Sequence, residues 1–282
     1  MAMSQPLITE RGFVNARSHQ VTPVGGTSEQ EIRAAHAKLG ATFRSGRTKS
    51  YEWRREQLLG LRRLCLENSD DICAALYEDL GRPKMEAFLG DVTSVVGEID
   101  HMLSHLKSWM APEKVHTGLL QLPARSVVLR EPKGVVLQLS PWNFPFNLSL
   151  AGICAAMAAG NCVLLKPSEI SPMSERLLKD LLPRYLDPDA ISVVTGGVAE
   201  STLLLELRWD HILYTGNGAV ARIVQRAAAQ HLTPCTLELG GKSPSVVLPG
   251  ANIPQAARRM LAWKCFNAGQ ICTSPDYALV HK

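Results

Sequence analysis

At 282 residues, 46% hydrophobic and 20% charged, with a formal net charge of +4, the chain has the make-up of a globular protein of one large or two modest domains with a sizeable core. The small charge argues against nucleic-acid binding, because the basic clusters at 44–47 and 54–55 are broken by polar or acidic residues. Seven cysteines without a Cys-x-x-Cys, and an N-terminus without an apolar h-region, point to free thiols in a reducing, cytoplasmic setting.

Residues 1–26 carry Pro, Gly, Ser and Thr without periodicity and are expected to be a flexible lead. Ser28 and Glu31 form a capping box at the start of a helix. Residues 51–66 and 72–80 read as amphipathic helices, followed by a break at Gly81-Arg-Pro83. From Leu89, apolar residues at 89, 92, 96, 99, 103, 106 and 110 mark one face of a further helix, expected to lie on a domain core. Residues 119–130 read as an extended arm or hairpin.

From Pro132 the pattern becomes strand–helix alternation. Strands are expected at 134–139, 162–165, 191–194, 211–214 and 236–239, with helices at 148–159, 174–185, 198–207 and 219–229 between them. Repeated βα units with short apolar strands predict an α/β fold, a doubly wound parallel sheet of Rossmann type. Residues 148–165 are apolar over nearly a membrane-spanning length, but Gly160-Asn161 punctuates them and Lys166-Pro167 ends them. Helix, tight turn and buried strand fit better, and no membrane segment is expected. A further strand at 245–248, a helix at 253–266 and a strand from 277 open a second segment.

The chemistry-bearing residues lie at the ends of these strands. Cys272 sits in a Gly/Ser/Thr/Pro loop, whereas Cys65, Cys73, Cys154 and Cys162 fall in apolar patterns that suit packing. Glu238 stands in an apolar strand-like run, and Asn143 in an aromatic-proline box. A thiol, a carboxylate and an amide can serve as nucleophile, base and oxyanion donor. Lys166 could hold a ribose or phosphate, or end its strand in solvent; Glu169 could accept ribose hydroxyls or cap the next helix. Gly216-Asn-Gly-Ala-Val-Ala221 fits the G-x-G-x-x-A form, and either a phosphate or nicotinamide contact or a plain tight turn would account for it. Gly241-Lys242-Ser243 is not a P-loop, because Thr236 replaces the upstream glycine. Neither cysteines nor histidines cluster at ligand spacing, so no metal site is expected.

Four stretches in order, Ser140-Pro-Trp-Asn-Phe-Pro145, Gly160-Asn-Cys-Val-Leu-Leu-Lys-Pro-Ser-Glu169, Leu237-Glu-Leu-Gly-Gly-Lys-Ser-Pro244 and Gly269-Gln-Ile-Cys-Thr-Ser-Pro-Asp-Tyr277, resemble the aldehyde dehydrogenase superfamily. Tyr214-Thr-Gly, His231-Leu-Thr-Pro and Ser274-Pro-Asp-Tyr resemble its class 3, fatty-aldehyde-type branch. The resemblance implies NAD, or NADP, as cofactor and an aldehyde as substrate, oxidised to a carboxylic acid through a thioester. Cys272 would be the nucleophile, Asn143 and the Cys272 amide the oxyanion donors, and Glu238 the base for hydrolysis, with apolar surroundings. Lys166 and Glu169 would bind the adenosine ribose with Trp142 nearby, and Gly216, Asn217 and Gly218 would lie by the pyrophosphate and nicotinamide half. That loop departs from the family's Gly-Ser-Thr-x-x-Gly. The resemblance divides the chain into a lead (1–26), a cofactor-binding domain (27–237, with helices to 110, an arm at 116–131 and a Rossmann-type core at 132–237) and the opening of a thiol domain (238–282). It also implies a homodimer, and family members continue well beyond the cysteine, through the strand that pairs subunits and much of the aldehyde tunnel.

Overall fold

The computed structural model describes residues 25–281; all but the last two residues of the expected lead fall outside them. Helix α1 (Glu29–Arg44) starts at the expected capping box. The Ser28 hydroxyl accepts from the Glu31 amide, and the Glu31 carboxylate accepts from the Ser28 amide at 2.9 Å. Helix α2 (Tyr51–Glu67) is capped by the Ser50 hydroxyl, and α3 (Ser69–Leu80) ends at the left-handed Gly81. A long helical run follows: α4 (Lys84–Ala87), a π-turn (Phe88–Thr93) and α5 (Ser94–Met110).

That π-turn corrects one expectation. Leu89 was predicted on the buried face but is 50% exposed. The wider turn adds a residue, so Gly90, Asp91 and Val92 face inward, and burial continues through Val95, Ile99 and Leu106. Helix α5 packs along α2 and α6, so its apolar stripe serves the core of its own chain. Strands β1 (Glu113–Val115) and β2 (Ser126–Val128) pair antiparallel; only β2 falls within the expected 119–130, where Leu119–Gln121 is a 3-10 turn, and β1 precedes it.

The central sheet uses β3 (Val135–Leu139), β4 (Cys162–Lys166), β5 (Ile191–Val193), β6 (His211–Gly216) and β7 (Cys235–Leu239), in the order β5-β4-β3-β6-β7, all parallel. The crossovers are α6 (Pro145–Ala158), α7 (Pro172–Tyr185), α8 (Val198–Glu206) and α9 (Gly218–Ala229). Helices α2, α3 and α5 back α6 and α7, while α1 lies with α8 and over β3, β4 and β5. Strands β3 and β4 are buried along their whole length, Gln138 and Lys166 included, as befits the centre of a sheet covered on both faces. This is the predicted doubly wound Rossmann-type architecture. Helix α6 begins three residues earlier than its apolar run suggested, because Pro145 occupies its first turn. Among the described residues no helix is long and apolar enough to cross a membrane.

Beyond β7 a small second unit begins: β8 (Ser245–Val247), α10 (Ile253–Cys265) and β9 (Ala278–Val280), with β8 and β9 paired in parallel. The α10–β9 connection carries Cys272.

Candidate active site

The strand order contains a topological switch. The chain runs outward from β3 through β4 to β5, then returns to the other side of β3 as β6. Crevices outside the carboxyl ends of strands form at such a point. The loop after β3 supplies Trp142 and Asn143, the end of β4 supplies Lys166, and the β6–α9 junction supplies Gly216, Asn217 and Gly218. The structure therefore gathers the predicted cofactor residues at one edge of one sheet.

Lys166 is buried to 5% exposure, and its Nζ donates to Glu169 Oε2 at 2.6 Å. Its backbone carbonyl accepts from Ser140, tying the loops after β3 and β4 together at 3.1 Å. Partial burial pushes the Glu169 carboxyl up, but the hydrogen bond from Lys166 and its own backbone amide outweigh this and hold it below the ordinary range. Glu175, buried one turn into α7, accepts from the Gly196 amide at 2.9 Å; burial pushes its carboxyl up, with the amide and nearby lysines opposing. Trp142 is half-buried in the loop after β3.

After β6, Asn217 caps α9, its side chain accepting from the Val220 amide at 2.9 Å. The Tyr214 hydroxyl donates to the Asn217 carbonyl at 3.3 Å, and a Cβ at Gly216 would fall on that hydroxyl. Gly216 is thus required by close approach.

Asn143 and the cysteine loop meet directly. Asn143 Nδ2 donates to the Gln270 carbonyl at 2.9 Å, two residues before Cys272. Cys272 is exposed, and its carbonyl accepts from Ser243 Oγ at 3.3 Å. Ser243 belongs to the loop that follows β7, which brings the segment after Glu238 against the cysteine. Glu238 is placed differently from the expectation. It is exposed, on the edge strand β7, rather than enclosed in apolar surroundings. An edge strand has a neighbour on one side only, so the apolar run around Glu238 did not entail burial.

Sequence reasoning missed three residues here. Arg82, Asp91 and Asn267 are all buried, and Asn267 Nδ2 donates to the Asn143 carbonyl at 2.9 Å. Arg82 sat in a stretch read as a simple break, and Asp91 next to the apolar stripe of α5. The turn before Cys272 is left-handed at Asn267, Ala268 and Gly269 (φ 49, 53 and 78). Gly269 and, less strongly, Asn267 were its sequence signals, whereas Ala268 offered none.

The family model for the aldehyde dehydrogenase family matches residues 13–282. The chain belongs to that family. It is 47% identical over 247 residues to aldehyde dehydrogenase family 3 member I1, chloroplastic, of Arabidopsis thaliana, covering 87% of this chain and 45% of the relative. It is also 47% identical over 242 residues to family 3 member B1 of Bos taurus, covering 86% and 52%. The class 3 branch resemblance therefore holds. Among solved structures, the substrate-bound state of Staphylococcus aureus AldH superposes with a TM-score of 0.87 at 38% identity, covering 89% of this chain and 55% of that one. An E. coli NADP-dependent enzyme superposes at 0.82 with 27% identity, covering 91% and 53%. The chain spans about half the length of the curated relatives it matches.

Proposed function

We propose that this chain carries the cofactor crevice and catalytic thiol of an enzyme that oxidises an aldehyde to a carboxylic acid with NAD or NADP. The observation that carries the reading is the contact between Asn143 and the loop of Cys272. It ties the Asn143 amide to the backbone two residues before Cys272, which supports pairing an amide donor with a thiol, as addition to a carbonyl needs. We take 27–237 as the cofactor-binding part and 238–282 as the opening of the thiol part.

The crevice suits a dinucleotide. The Lys166 ammonium and Glu169 carboxylate together offer a donor and an acceptor to a ribose diol, and the first turn of α9 offers backbone N–H groups to phosphate. Glu169 repels a 2′-phosphate, which favours NAD; the dependence of the E. coli relative on NADP leaves room for both. Bound there, the nicotinamide would supply the two-electron acceptor.

The chain's own residues do the rest. The Cys272 thiol gives up its proton and adds to the aldehyde carbon, and the carbonyl oxygen becomes an oxyanion. Asn143 Nδ2 exchanges the Gln270 carbonyl for that oxyanion, joined by the Cys272 amide. After oxidation the acyl group remains on sulfur as a thioester. Glu238 takes a proton from water, the water attacks the acyl carbon, and the carboxylic acid leaves with Cys272 restored as thiolate. The sum is one aldehyde, one water and one oxidised cofactor giving one carboxylate, one reduced cofactor and two protons.

A second reading rests on the exposure of Glu238: the chain binds cofactor and acylates without releasing acid. One experiment separates the two. The 282-residue chain is mixed rapidly with NAD and a medium-chain aldehyde, with Cys272→Ala as control. A burst of reduced cofactor followed by steady turnover supports the first reading, and a burst alone the second. Equal rates in Cys272→Ala, or no burst in a folded chain that binds NAD, overturn the mechanism. The free thiols further suggest a reducing compartment, the cytoplasm being our choice. A homodimer is the assembly we propose.

A further inference from the structure

Arg82 and Asp91 form a charge pair in the interior, at 2% and 0% exposure. Burying a charge is costly unless every part of it is satisfied. Here each is. Asp91 Oδ2 takes Arg82 Nη1, and Asp91 Oδ1 takes the amides of Phe146 and Asn147 at 3.1 and 2.8 Å, in the first turn of α6. The other two Arg82 nitrogens reach the loops of Asn143 and Cys272: Nη2 donates to the Asn143 carbonyl, and Nε to Asn267 Oδ1 at 2.9 Å. The guanidinium also lies 4.5 Å from the Phe144 ring centroid. One planar fork thus holds the acid, the backbone of Asn143 and the turn before Cys272.

Two further features support this. The π-turn turns Asp91 inward and brings Gly90 against Phe144, where a Cβ would lie 2.9 Å from the ring. Asn267 occupies left-handed backbone, a conformation that needs outside support, and receives it from both sides. Its amide donates to Glu86 Oε2 at 2.9 Å, its Nδ2 to the carbonyls of Asn143 and Gln270 at 2.9 and 3.2 Å, and its carbonyl accepts from Gln270.

We propose that Arg82, Asp91 and Asn267 are positioning residues, a buried strut from the π-turn that sets Asn143 and the Cys272 loop at a fixed separation. They touch neither substrate nor cofactor. The catalytic part of the inference rests on the reading above; the mechanical part does not.

The test replaces the strut by apolar groups of similar volume. Replacing a buried pair by apolar groups is often tolerated, but here the amides of Phe146 and Asn147 lose their acceptor, so Arg82→Met/Asp91→Leu should fold with a lowered melting temperature. Hydrogen exchange is then followed in peptides covering 266–273. A strut predicts exchange there faster by about tenfold or more, with β3 and β4 unchanged. Unchanged exchange in the folded double variant overturns the proposal. Arg82→Ala is the second variant, and its vacated site should take up guanidinium ion at millimolar concentration. Restored protection at 266–273 supports the strut, and protection that ignores guanidinium counts against it. If the wild-type chain oxidises aldehyde, Arg82→Ala should lose rate at saturating substrate, keep its NAD affinity and regain rate with guanidinium. If the wild-type chain does not, the exchange measurements still decide the strut, while the functional reading fails on its own.

Discussion

Glu238 is the register partner of Thr215 across β6 and β7, one position before the Gly216–Gly218 loop. The candidate base and the candidate cofactor loop therefore leave the same edge of the sheet side by side. A parallel pair holds such neighbours in step, so a base on β7 keeps its level relative to whatever the β6 loop holds.

Because Glu238 is exposed, its replacement by Gln should leave the fold intact. The expected result is a melting temperature within about a degree or two of the parent's. In the rapid-mixing assay the burst should survive, while steady release of acid falls by roughly a hundredfold, within the range of lost general-base catalysis. Loss of the burst itself would remove Glu238 from the hydrolytic role.

The cysteines divide by position. Burial pushes Cys65, Cys154 and Cys162 up to about 12, and Cys73 up as well, whereas Cys265 and Cys272 are exposed. A chromogenic disulfide reagent should find two fast thiols in the native chain, with Cys235 slower. Cys272→Ala should remove one of the two, and the four buried thiols should react only after unfolding. A native chain with four or more fast thiols contradicts this core.

Lys166→Ala should weaken NAD binding by roughly tenfold, the worth of one charge-assisted hydrogen bond. Glu169→Gln keeps the shape and removes the charge, so its affinity for NADP should rise relative to NAD. Calorimetric titration of both nucleotides into both variants measures this. An unchanged ratio in Glu169→Gln would show that the carboxylate does not face the ribose.

Burial pushes the Asp91 carboxyl up to about 6 against the pull of Arg82 and two amides. The titratable groups around it are Arg82, which Glu86 also draws, and the uncharged Cys73 thiol. Since the folded value exceeds the ordinary 3.8, the folded chain binds this proton more tightly than the unfolded chain between about 4 and 6. Asp91's contribution to stability thus grows on acidification through that window and is lost as the pH rises through about 6. The strut has the opposite sense, because protonation ends the ion pair. Exchange at 266–273, corrected for its intrinsic pH dependence, should be faster at pH 5 than at pH 7. In Arg82→Met/Asp91→Leu the two should agree.

The sheet was legible because its strands announce themselves locally. Residues 162–165 form an unbroken apolar run between Gly160-Asn161 and Lys166-Pro167, and β4 occupies 162–166. The capping box at Ser28 is equally local. Two features escaped for one physical reason, that burial is decided by neighbours distant in sequence. Glu238 looked enclosed because Leu237 and Leu239 flank it, yet its strand has only β6 beside it. Arg82 looked like punctuation because its partners Asn143 and Asn267 lie 61 and 185 positions away. The π-turn carries no residue signature, and it moved Leu89 to the surface.

Thr27 and Thr195 exchange two hydrogen bonds, the Thr27 amide to the Thr195 carbonyl and the Thr195 amide to the Thr27 hydroxyl, both at 2.9 Å. With α1 lying over β3, β4 and β5 and beside α8, it completes its contacts only when α8, some 150 residues later in the chain, is in place. During synthesis at about 5–20 residues per second, α1 would wait on the order of ten seconds with its apolar side uncovered. Helix α1 thus finds its full set of partners only after most of the sheet has been made.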